Sequence, residues 1–137
     1  MRLRLIEERD LDAVRRLRNE NRDSFFFNRE VSEEQHRRWF ENLLASPMQF
    51  YVMEEDGDVV GTISVIPGLP AGNEIGNLIV GEAHRGRGFA LQALTGLTTE
   101  PGTYFSNVLP ENDGSLTVLA RVGFAPEHVV MVKTVEP

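Results

Sequence analysis

The feature that most constrains the fold of this chain is a glycine-containing junction between a predicted strand and a predicted helix. A β-rich run over 74–80 precedes the segment His84-Arg85-Gly86-Arg87-Gly88-Phe89-Ala90, after which apolar residues recur at helical spacing. Glycines at the start of a helix let consecutive backbone N–H groups point into one concavity, and the positive end of the helix dipole adds to their field. The junction therefore predicts an anion site suited to a phosphate or pyrophosphate. A purely structural glycine turn is the alternative, and the two flanking arginines favour the anion site.

Other phosphate-binding loops do not fit this segment. A P-loop requires a Gly-Lys-Ser/Thr sequence, which the chain lacks. A dinucleotide-binding fingerprint would place a third glycine where Leu91 stands, and an acidic residue at the end of a second parallel strand. The predicted strand 103–108 ends in Asn107-Val108 instead. Nicotinamide chemistry is therefore not expected.

The remaining periodicity predicts strands and helices in the order β-α-α-β-β-β-α-β-α-β. The predicted strands are 2–5, 50–53, 59–66, 74–80, 103–108 and 129–135, and the predicted helices follow Asp10, Ser32, Gly88 and Asn112 or Asp113. Ser32 and Gln35 form a capping-box pattern, and Asp56-Gly57 suits a tight hairpin turn. Residues 22–29 are predicted as a loop and 67–72 as a turn region. This order predicts one mixed α/β domain over residues 1–137, with helices flanking a largely antiparallel sheet.

Composition excludes several classes of function. The chain has 137 residues, no cysteine and a formal net charge of −7. Disulfides, thiolate metal sites and cysteine nucleophiles are thereby removed, and binding to nucleic acid or to an anionic membrane is disfavoured. No apolar run reaches the roughly 20 residues that a membrane span needs, and residues 1–10 lack the apolar core of a signal peptide. The three histidines are scattered, so no metal site is expected, and we expect a cytoplasmic protein.

Two motifs, together with the order of elements, resemble the GNAT superfamily of acyl-CoA-dependent N-acetyltransferases. The family signature at a strand-to-helix junction is Gln/Arg-x-x-Gly-x-Gly/Ala, and the segment Arg85 to Ala90 matches every fixed position. A second match, Asn112-x-x-Ser115 followed by Val122-Gly123-Phe124, is similar to the branch that includes ribosomal-protein and amino-sugar acetyltransferases. The resemblance extends from Arg2 to Val135 and implies the mixed α/β acyltransferase fold of that family.

The resemblance implies acetyl-CoA as co-substrate and assigns residues to it. The backbone of the junction would hold the pyrophosphate, and the strand before it would pair with the pantetheine arm. Two residues at the start of the last helix would lie near the thioester end or the pantetheine. These cofactor residues are Leu78, Ile79, Val80, Arg85, Gly86, Arg87, Gly88, Phe89, Ala90, Asn112 and Ser115. The reaction implied is direct attack of a substrate amine on the thioester, without a covalent enzyme intermediate.

Glu74 is the candidate general base. An attacking amine must be neutral, so its proton has to pass to a base directly or through water. Glu74 stands before Arg85 at the spacing where some family members carry that base; a solvated carboxylate at a strand start is the alternative. Many family members carry a tyrosine that protonates the leaving thiolate at the position where this chain has Leu119, so the general acid is left open. Tyr104 is a substitute only if its side chain faces the cleft.

The acceptor side is less constrained by the sequence. In the family, the loop between the first two helices covers the acceptor site, and here Phe26 and Phe27 in that loop and His36 on the second helix are the candidate substrate contacts. Core packing is the alternative for these residues. The acceptor would be a primary amine of a small molecule or a protein N-terminus, and a homodimer is left open.

Two other functions remain as alternatives. One is an amino-sugar nucleotide acetyltransferase, because the segment 18–22 and the pattern His36-x-x-Trp39-Phe40 look similar to that group. The other is a non-catalytic acyl-CoA sensor, which the absence of a tyrosine at Leu119 would permit. Release of the thiol from acetyl-CoA in the presence of an amine separates a sensor from an enzyme.

Overall fold

The computed structural model describes all 137 residues and arranges them around a five-stranded sheet. The strands are Arg2–Leu5 (β1), Gln49–Glu55 (β2), Asp58–Leu69 (β3), Gly72–Val80 (β4) and Tyr104–Phe105 (β5), and the helices are Leu11–Glu20 (α1), Glu33–Leu44 (α2), Phe89–Leu97 (α3) and Asp113–Val122 (α4). The strands lie in the order β1-β2-β3-β4-β5; the first four are antiparallel, and β5 runs parallel to β4. The mixed α/β fold with a largely antiparallel sheet is thereby confirmed.

Helices cover both faces of the sheet, and each face has its own apolar core. Along β2, Phe50 and Val52 enter one core while Met53 enters the other, as the two-residue period of a strand requires. The first core joins β2 to α1 and α2 through Leu11, Val14, Phe40 and Leu43. The second joins β2, β3 and β4 to α3 and α4 through Val60, Ile63, Val65, Ile75, Phe89, Ala93, Leu94 and Leu119. Because both faces are covered, six consecutive residues of β3, Val60 to Val65, are buried, and two of them, Thr62 and Ser64, are polar.

The local signals at helix and hairpin ends act as the sequence predicts. The Ser32 side chain accepts from the Gln35 backbone at 3.1 Å, and the Gln35 side chain accepts from the Ser32 backbone at 2.9 Å, which closes the capping box of α2. The β2–β3 hairpin turns at Asp56 and Gly57, whose φ angles are 51° and 83°. No helix of the fold combines the length and the apolar character that crossing a membrane requires.

The predicted strand at 129–135 is wrong. These residues form neither strand nor helix, and the side chains of residues 129–132 are 72–88 % exposed. A strand is defined by hydrogen bonds to a neighbouring strand, and this segment pairs with none. Apolar, β-branched composition therefore indicated a strand that the sheet does not contain.

Two further boundaries differ from the prediction for the same reason. β5 has only two residues where 103–108 was predicted, because it pairs with β4 at only two positions. β3 continues through Pro67 and Gly68 with irregular pairing, so the predicted turn region 67–72 contracts to a turn at Pro70–Ala71.

A buried ion pair fixes the start of α1 to β1. Arg4 donates to the Asp10 carboxylate at 2.7 and 2.9 Å and to Glu54 at 2.8 Å. Asp10 is 4 % exposed and also accepts from the backbone N–H of Glu7 at 2.8 Å. Burial by itself raises the pKa of Asp10, but these hydrogen bonds and the charge of Arg4 together hold the pKa below its usual value. The carboxylate is therefore charged in the folded protein and joins the chain before α1 to the sheet.

Replacing Asp10 with asparagine is expected to lower the free energy of unfolding at pH 7 by about 3 kcal/mol, because Arg4 loses its buried partner. The contribution of Asp10 is complete above its ordinary pKa and is lost as the pH falls through the lowered value of the folded state. Urea unfolding from pH 7 down to pH 3 would therefore show the curves of wild type and Asp10→Asn converging. Asp12→Asn, the same change at an exposed position two residues further on, should change stability by less than about 1 kcal/mol. Curves that stay parallel would contradict this assignment.

Candidate functional site

The junction between β4 and α3 forms a cradle of backbone donors. After a short 3₁₀ turn at Glu82–His84, the backbone has positive φ at Gly86 (79°) and Gly88 (80°), and α3 begins at Phe89. None of the N–H groups of residues 86–91 donates to a protein acceptor, and the first bond of the helix runs from Gln92 to the Gly88 carbonyl. A Cβ added at either glycine would meet nothing within 4 Å, so glycine serves the backbone conformation and the approach of a ligand here. The cradle can therefore hold an anion through main-chain donors at a helix N-terminus.

The cradle opens into a cleft of about 510 Å³. Its walls come from the end of β4 and the starts of α3 and α4, and Asn21 and Ser24 close it on the side of α1. Ten of the predicted cofactor residues line it, namely Leu78, Ile79, Val80, Arg85, Gly86, Gly88, Phe89, Ala90, Asn112 and Ser115. Arg87 is not part of the lining. The structure thus brings together, from two separate sequence segments, nearly all of the residues predicted to bind a cofactor.

β4 and β5 diverge beside the cleft. They pair only at Asn73–Tyr104 and Glu74–Phe105, whereas β4 continues to Val80 and stays paired with β3 on its other edge. The edge of β4 over residues 78–80 therefore faces the cleft without a strand beside it. A free strand edge offers alternating N–H and C=O groups to an extended ligand that carries amides.

A bulge at Asn77 bends β4 where the cleft begins. Gly76 pairs with Ser64 and Ile79 with Thr62, so Asn77 and Leu78 together stand opposite a single residue of β3, and Asn77 has φ 51°. The Thr62 hydroxyl donates to the Asn77 carbonyl at 2.6 Å, and the Asn77 amide donates to the Ser64 hydroxyl at 2.9 Å. Both hydroxyl residues are fully buried. Sequence reasoning missed Asn77; the signal was an asparagine in a strand, opposite a neighbouring strand with two polar residues among apolar ones.

The start of α4 is held by the motif that the sequence singled out. The Asn112 side chain accepts from the backbone N–H of Ser115 at 3.2 Å and so caps the helix. Both residues line the cleft, and Gly123 ends the helix with φ 107°. The Asn-x-x-Ser pattern therefore has a structural role that also points a second helix N-terminus at the cleft.

The two arginines of the junction do not present free guanidinium groups to the cradle. Arg85 donates to the Val80 carbonyl at 3.1 Å and to the Asn21 side chain at 2.6 Å. Arg87 stacks over the Phe89 ring at 5.1 Å and lies 4.0 Å from Glu55. Main-chain groups therefore dominate the cradle, and the arginines add positive field rather than direct contacts.

Glu74 lies in the last pair between β4 and β5, at the point from which the two strands diverge. Its carboxylate accepts from the Asn107 side chain at 3.2 Å, and the residue is half-buried. It does not line the cleft. Along an extended strand, four residues span roughly 13 Å, which is the width of several water molecules, so Glu74 does not reach a ligand beside Leu78 directly. Proton transfer from a group in the cleft would therefore pass through water.

Comparison with known proteins identifies the family. The sequence profile of the acetyltransferase (GNAT) domain matches residues 1–125, which is nearly the whole chain. The chain belongs to this family. The resemblance seen in the two sequence motifs is thereby confirmed, and the 126–137 segment lies outside the matched range.

Three relatives illustrate the GNAT match. An uncharacterized N-acetyltransferase, YobR, of Bacillus subtilis is 28 % identical in an alignment of 122 residues that covers 81 % of this chain and 48 % of the relative. The chain thus spans about half the length of this curated relative. The structure of spermidine N-acetyltransferase from Vibrio cholerae with CoA and spermine superposes with a TM-score of 0.77 at 19 % identity, over 93 % of this chain and 82 % of that one. A proposed acetyltransferase of Salmonella typhimurium with acetyl-CoA gives 0.76 at 21 % identity, over 90 % and 79 %.

This GNAT domain has no tyrosine hydroxyl in its cleft. Leu119 is 5 % exposed and packs in the core with Phe89. The Tyr104 hydroxyl donates to the Glu100 carbonyl at 3.0 Å and is absent from the cleft lining, as is Tyr51, the other tyrosine. The cleft hydroxyls belong to Ser24 and Ser115.

The predicted acceptor residues lie outside the cleft lining. Phe26 and Phe27 are 68 % and 60 % exposed on the loop between α1 and α2, and the neighbouring Phe25 ring lies 3.8 Å beneath the Arg18 guanidinium. His36 is 5 % exposed and stacks on Trp39 with ring centroids 4.7 Å apart. The structure therefore does not bring these side chains to the cofactor residues. It also contains no group of three or more His, Cys, Asp or Glu side chains that could hold a metal ion.

Burial and the nearby charges of Arg15 and Arg18 lower the pKa of His36 to about 4. In the unfolded chain the histidine has its ordinary pKa of about 6.5. The contribution of neutral His36 to the free energy of unfolding is therefore fully present above that pH, and it falls by roughly 2–3 kcal/mol as the pH drops toward 4. His36→Phe keeps the stacking surface and removes the titration. The difference in unfolding free energy between wild type and His36→Phe should therefore change across this window, whereas His128→Phe, at an exposed position, should follow wild type. A wild-type profile that parallels His36→Phe would show that His36 titrates normally.

Proposed function

We propose that this GNAT domain is an N-acetyltransferase that transfers the acetyl group of acetyl-CoA to a primary amine of a small molecule or a protein N-terminus. One observation carries the proposal: in a single cleft lie the residues Gly86 and Gly88 to Leu91, whose N–H groups have no protein acceptor, and the edge of β4 that no strand pairs. The first suits a pyrophosphate and the second an extended arm with two amides. Acetyl-CoA contains both, in that order. The relatives whose structures contain CoA or acetyl-CoA support this reading.

The residues of the cleft fit acetyl-CoA in the following way. The backbone of Arg85 to Ala90 would hold the pyrophosphate, with the side chain of Arg85 supplying positive charge nearby. The edge formed by Leu78, Ile79 and Val80 would pair with the pantetheine amides. Asn112 and Ser115 would lie along the arm on the side of α4. The thioester would then lie near the Asn77 bulge, where β4 and β5 part.

The proposed reaction requires few catalytic groups from the protein. The amine nitrogen forms a bond to the acetyl carbon, the carbon–sulfur bond breaks, and the amine gives up one proton. Glu74, held by Asn107, would receive that proton through water. The leaving thiolate needs little help, because a thiol with a pKa near 8.5 is a tolerable leaving group. Ser115 is the hydroxyl of the α4 side that could donate a hydrogen bond to it.

No feature of the structure favours the amino-sugar nucleotide alternative. The residues that carried it are engaged within the protein: Asn19 bonds the Val31 backbone at 2.8 and 3.0 Å, Asn21 bonds Arg85, and His36 stacks on Trp39. A sensor would bind acetyl-CoA without turnover. Thiol release from acetyl-CoA, assayed with a panel of amines that includes polyamines and peptides with free N-termini, separates an acetyltransferase from a sensor.

Gly88→Asp is expected to weaken acetyl-CoA binding by at least about 100-fold, since it places a carboxylate where charge-assisted hydrogen bonds to the pyrophosphate form. Isothermal titration calorimetry on the folded variant measures the loss. The matched control is Gly57→Asp, which imposes the same substitution at a similar φ of 83° in the β2–β3 hairpin, again with nothing within 4 Å of the added Cβ. An unchanged affinity for folded Gly88→Asp would exclude this cradle as the pyrophosphate site.

Glu74→Gln is expected to lower kcat/KM by roughly 10²–10⁴-fold with the affinity for acetyl-CoA unchanged, the usual range for loss of a general base. The acidic limb of the pH–rate profile should disappear with it. An exposed control, Glu100→Gln, should keep both rate and profile. If Glu74 only orients the acceptor, KM rises and the profile keeps its shape. Near-wild-type kcat/KM in Glu74→Gln would mean that the proton goes to bulk water.

A further inference from the structure

The side chain of Arg85 connects the cofactor cradle to the end of α1. Its Nε donates to the Val80 carbonyl at the end of β4, and its Nη2 donates to the Oδ1 of Asn21 at 2.6 Å. The Asn21 amide is oriented for this contact, since its Nδ2 donates to the Leu17 carbonyl at 2.8 Å. Arg85 forms no ion pair with any carboxylate. No carboxylate therefore offsets the positive charge of the Arg85 guanidinium beside the cradle, and the same group holds the uncharged side chain of Asn21 at the end of α1.

The end of α1 in turn holds the loop between α1 and α2. Asn19 exchanges two hydrogen bonds with the backbone of Val31, at 2.8 and 3.0 Å, and Arg18 donates to the Phe27 carbonyl. Asn21 begins the 3₁₀ turn 22–24, and Ser24 in that turn lines the cleft. The last turn of α1 is thus bonded to the middle and the end of this loop, and through Asn21 to Arg85. A displacement of Arg85 reaches the loop through this one turn of helix.

We propose that Arg85 is a positioning residue that couples cofactor binding in the cradle to the placement of the 22–31 loop on the acceptor side. The inference rests on the proposed function, because it takes acetyl-CoA as the ligand of the cradle. Binding at residues 86–91 fixes the backbone of the segment that carries Arg85, and Arg85 then holds Asn21 and the loop behind it. Coupling of this kind is reciprocal, so an ordered loop also favours acetyl-CoA. Arg85 acts here through Asn21 and not as a phosphate ligand.

Hydrogen exchange measured by mass spectrometry, with and without acetyl-CoA, tests the coupling without knowledge of the acceptor. In wild type, acetyl-CoA should slow exchange in peptides covering 85–91 and in those covering 22–31. In Asn21→Ala, protection of 85–91 should persist, while the acetyl-CoA-dependent protection of 22–31 should fall by about tenfold, the effect of one lost hydrogen bond. Asn42→Ala, the same change at an exposed position of α2, should behave as wild type.

Arg85→Lys separates the charge of Arg85 from its geometry. An ammonium keeps the positive field but lacks the planar fork that reaches Val80 and Asn21 together, so the coupling should be lost and the affinity for acetyl-CoA should fall by no more than the roughly tenfold that reciprocal coupling accounts for. If acetyl-CoA protects 85–91 but leaves 22–31 unchanged in wild type, or if Asn21→Ala and Arg85→Lys retain the protection of 22–31, the coupling is refuted and the proposed function stands. If acetyl-CoA protects neither segment of wild type, the proposed function itself fails.

Discussion

Two buried hydroxyls on β3 determine the shape of the site. Thr62 and Ser64 hold the carbonyl and the side chain of Asn77, and this residue adopts a left-handed conformation that most side chains avoid. The extra residue at that point bends β4, as bulges do. The bulge lies between Glu74, where the pairing with β5 ends, and the edge of residues 78–80 that faces the cleft. The cleft therefore depends on polar contacts placed inside an otherwise apolar sheet.

The cradle depends on packing behind it. Phe89 is the first residue of α3 and is 6 % exposed, in the same core as Ile75 of β4. The buried side chain anchors the helix start, so the N–H groups of the preceding glycines are ordered before a ligand arrives. Preorganised donors lower the cost of binding because little backbone entropy remains to be lost. The start of α3 thus contributes to the apolar core through the Phe89 side chain and to the polar cradle through its backbone N–H groups.

The sequence predicted those parts of the molecule that are determined locally. The four helices follow from apolar spacing and caps such as Ser32, and the cradle follows from Gly86 and Gly88 at a strand-to-helix junction. The bulge was not predicted, because its partners on β3 are more than ten residues away from Asn77. The tether from Arg85 to Asn21 was missed for the same reason, since the two are far apart in the sequence. The strand predicted at 129–135 is absent, because the apolar composition of a segment does not show whether a neighbouring strand is available to pair with it.

The aromatic stack in α2 has an optical consequence. Trp39 is the only tryptophan of the chain, and it stacks on His36 and packs nearly perpendicular to the Phe50 ring, with the Trp39 and Phe50 ring centroids 5.0 Å apart. Its indole therefore emits from a single environment, formed by α2 and β2 and not by any residue of the cleft. Intrinsic fluorescence reports the integrity of that one side of the sheet. A change in emission during a titration with ligand would mean that binding in the cleft had altered the surroundings of Trp39.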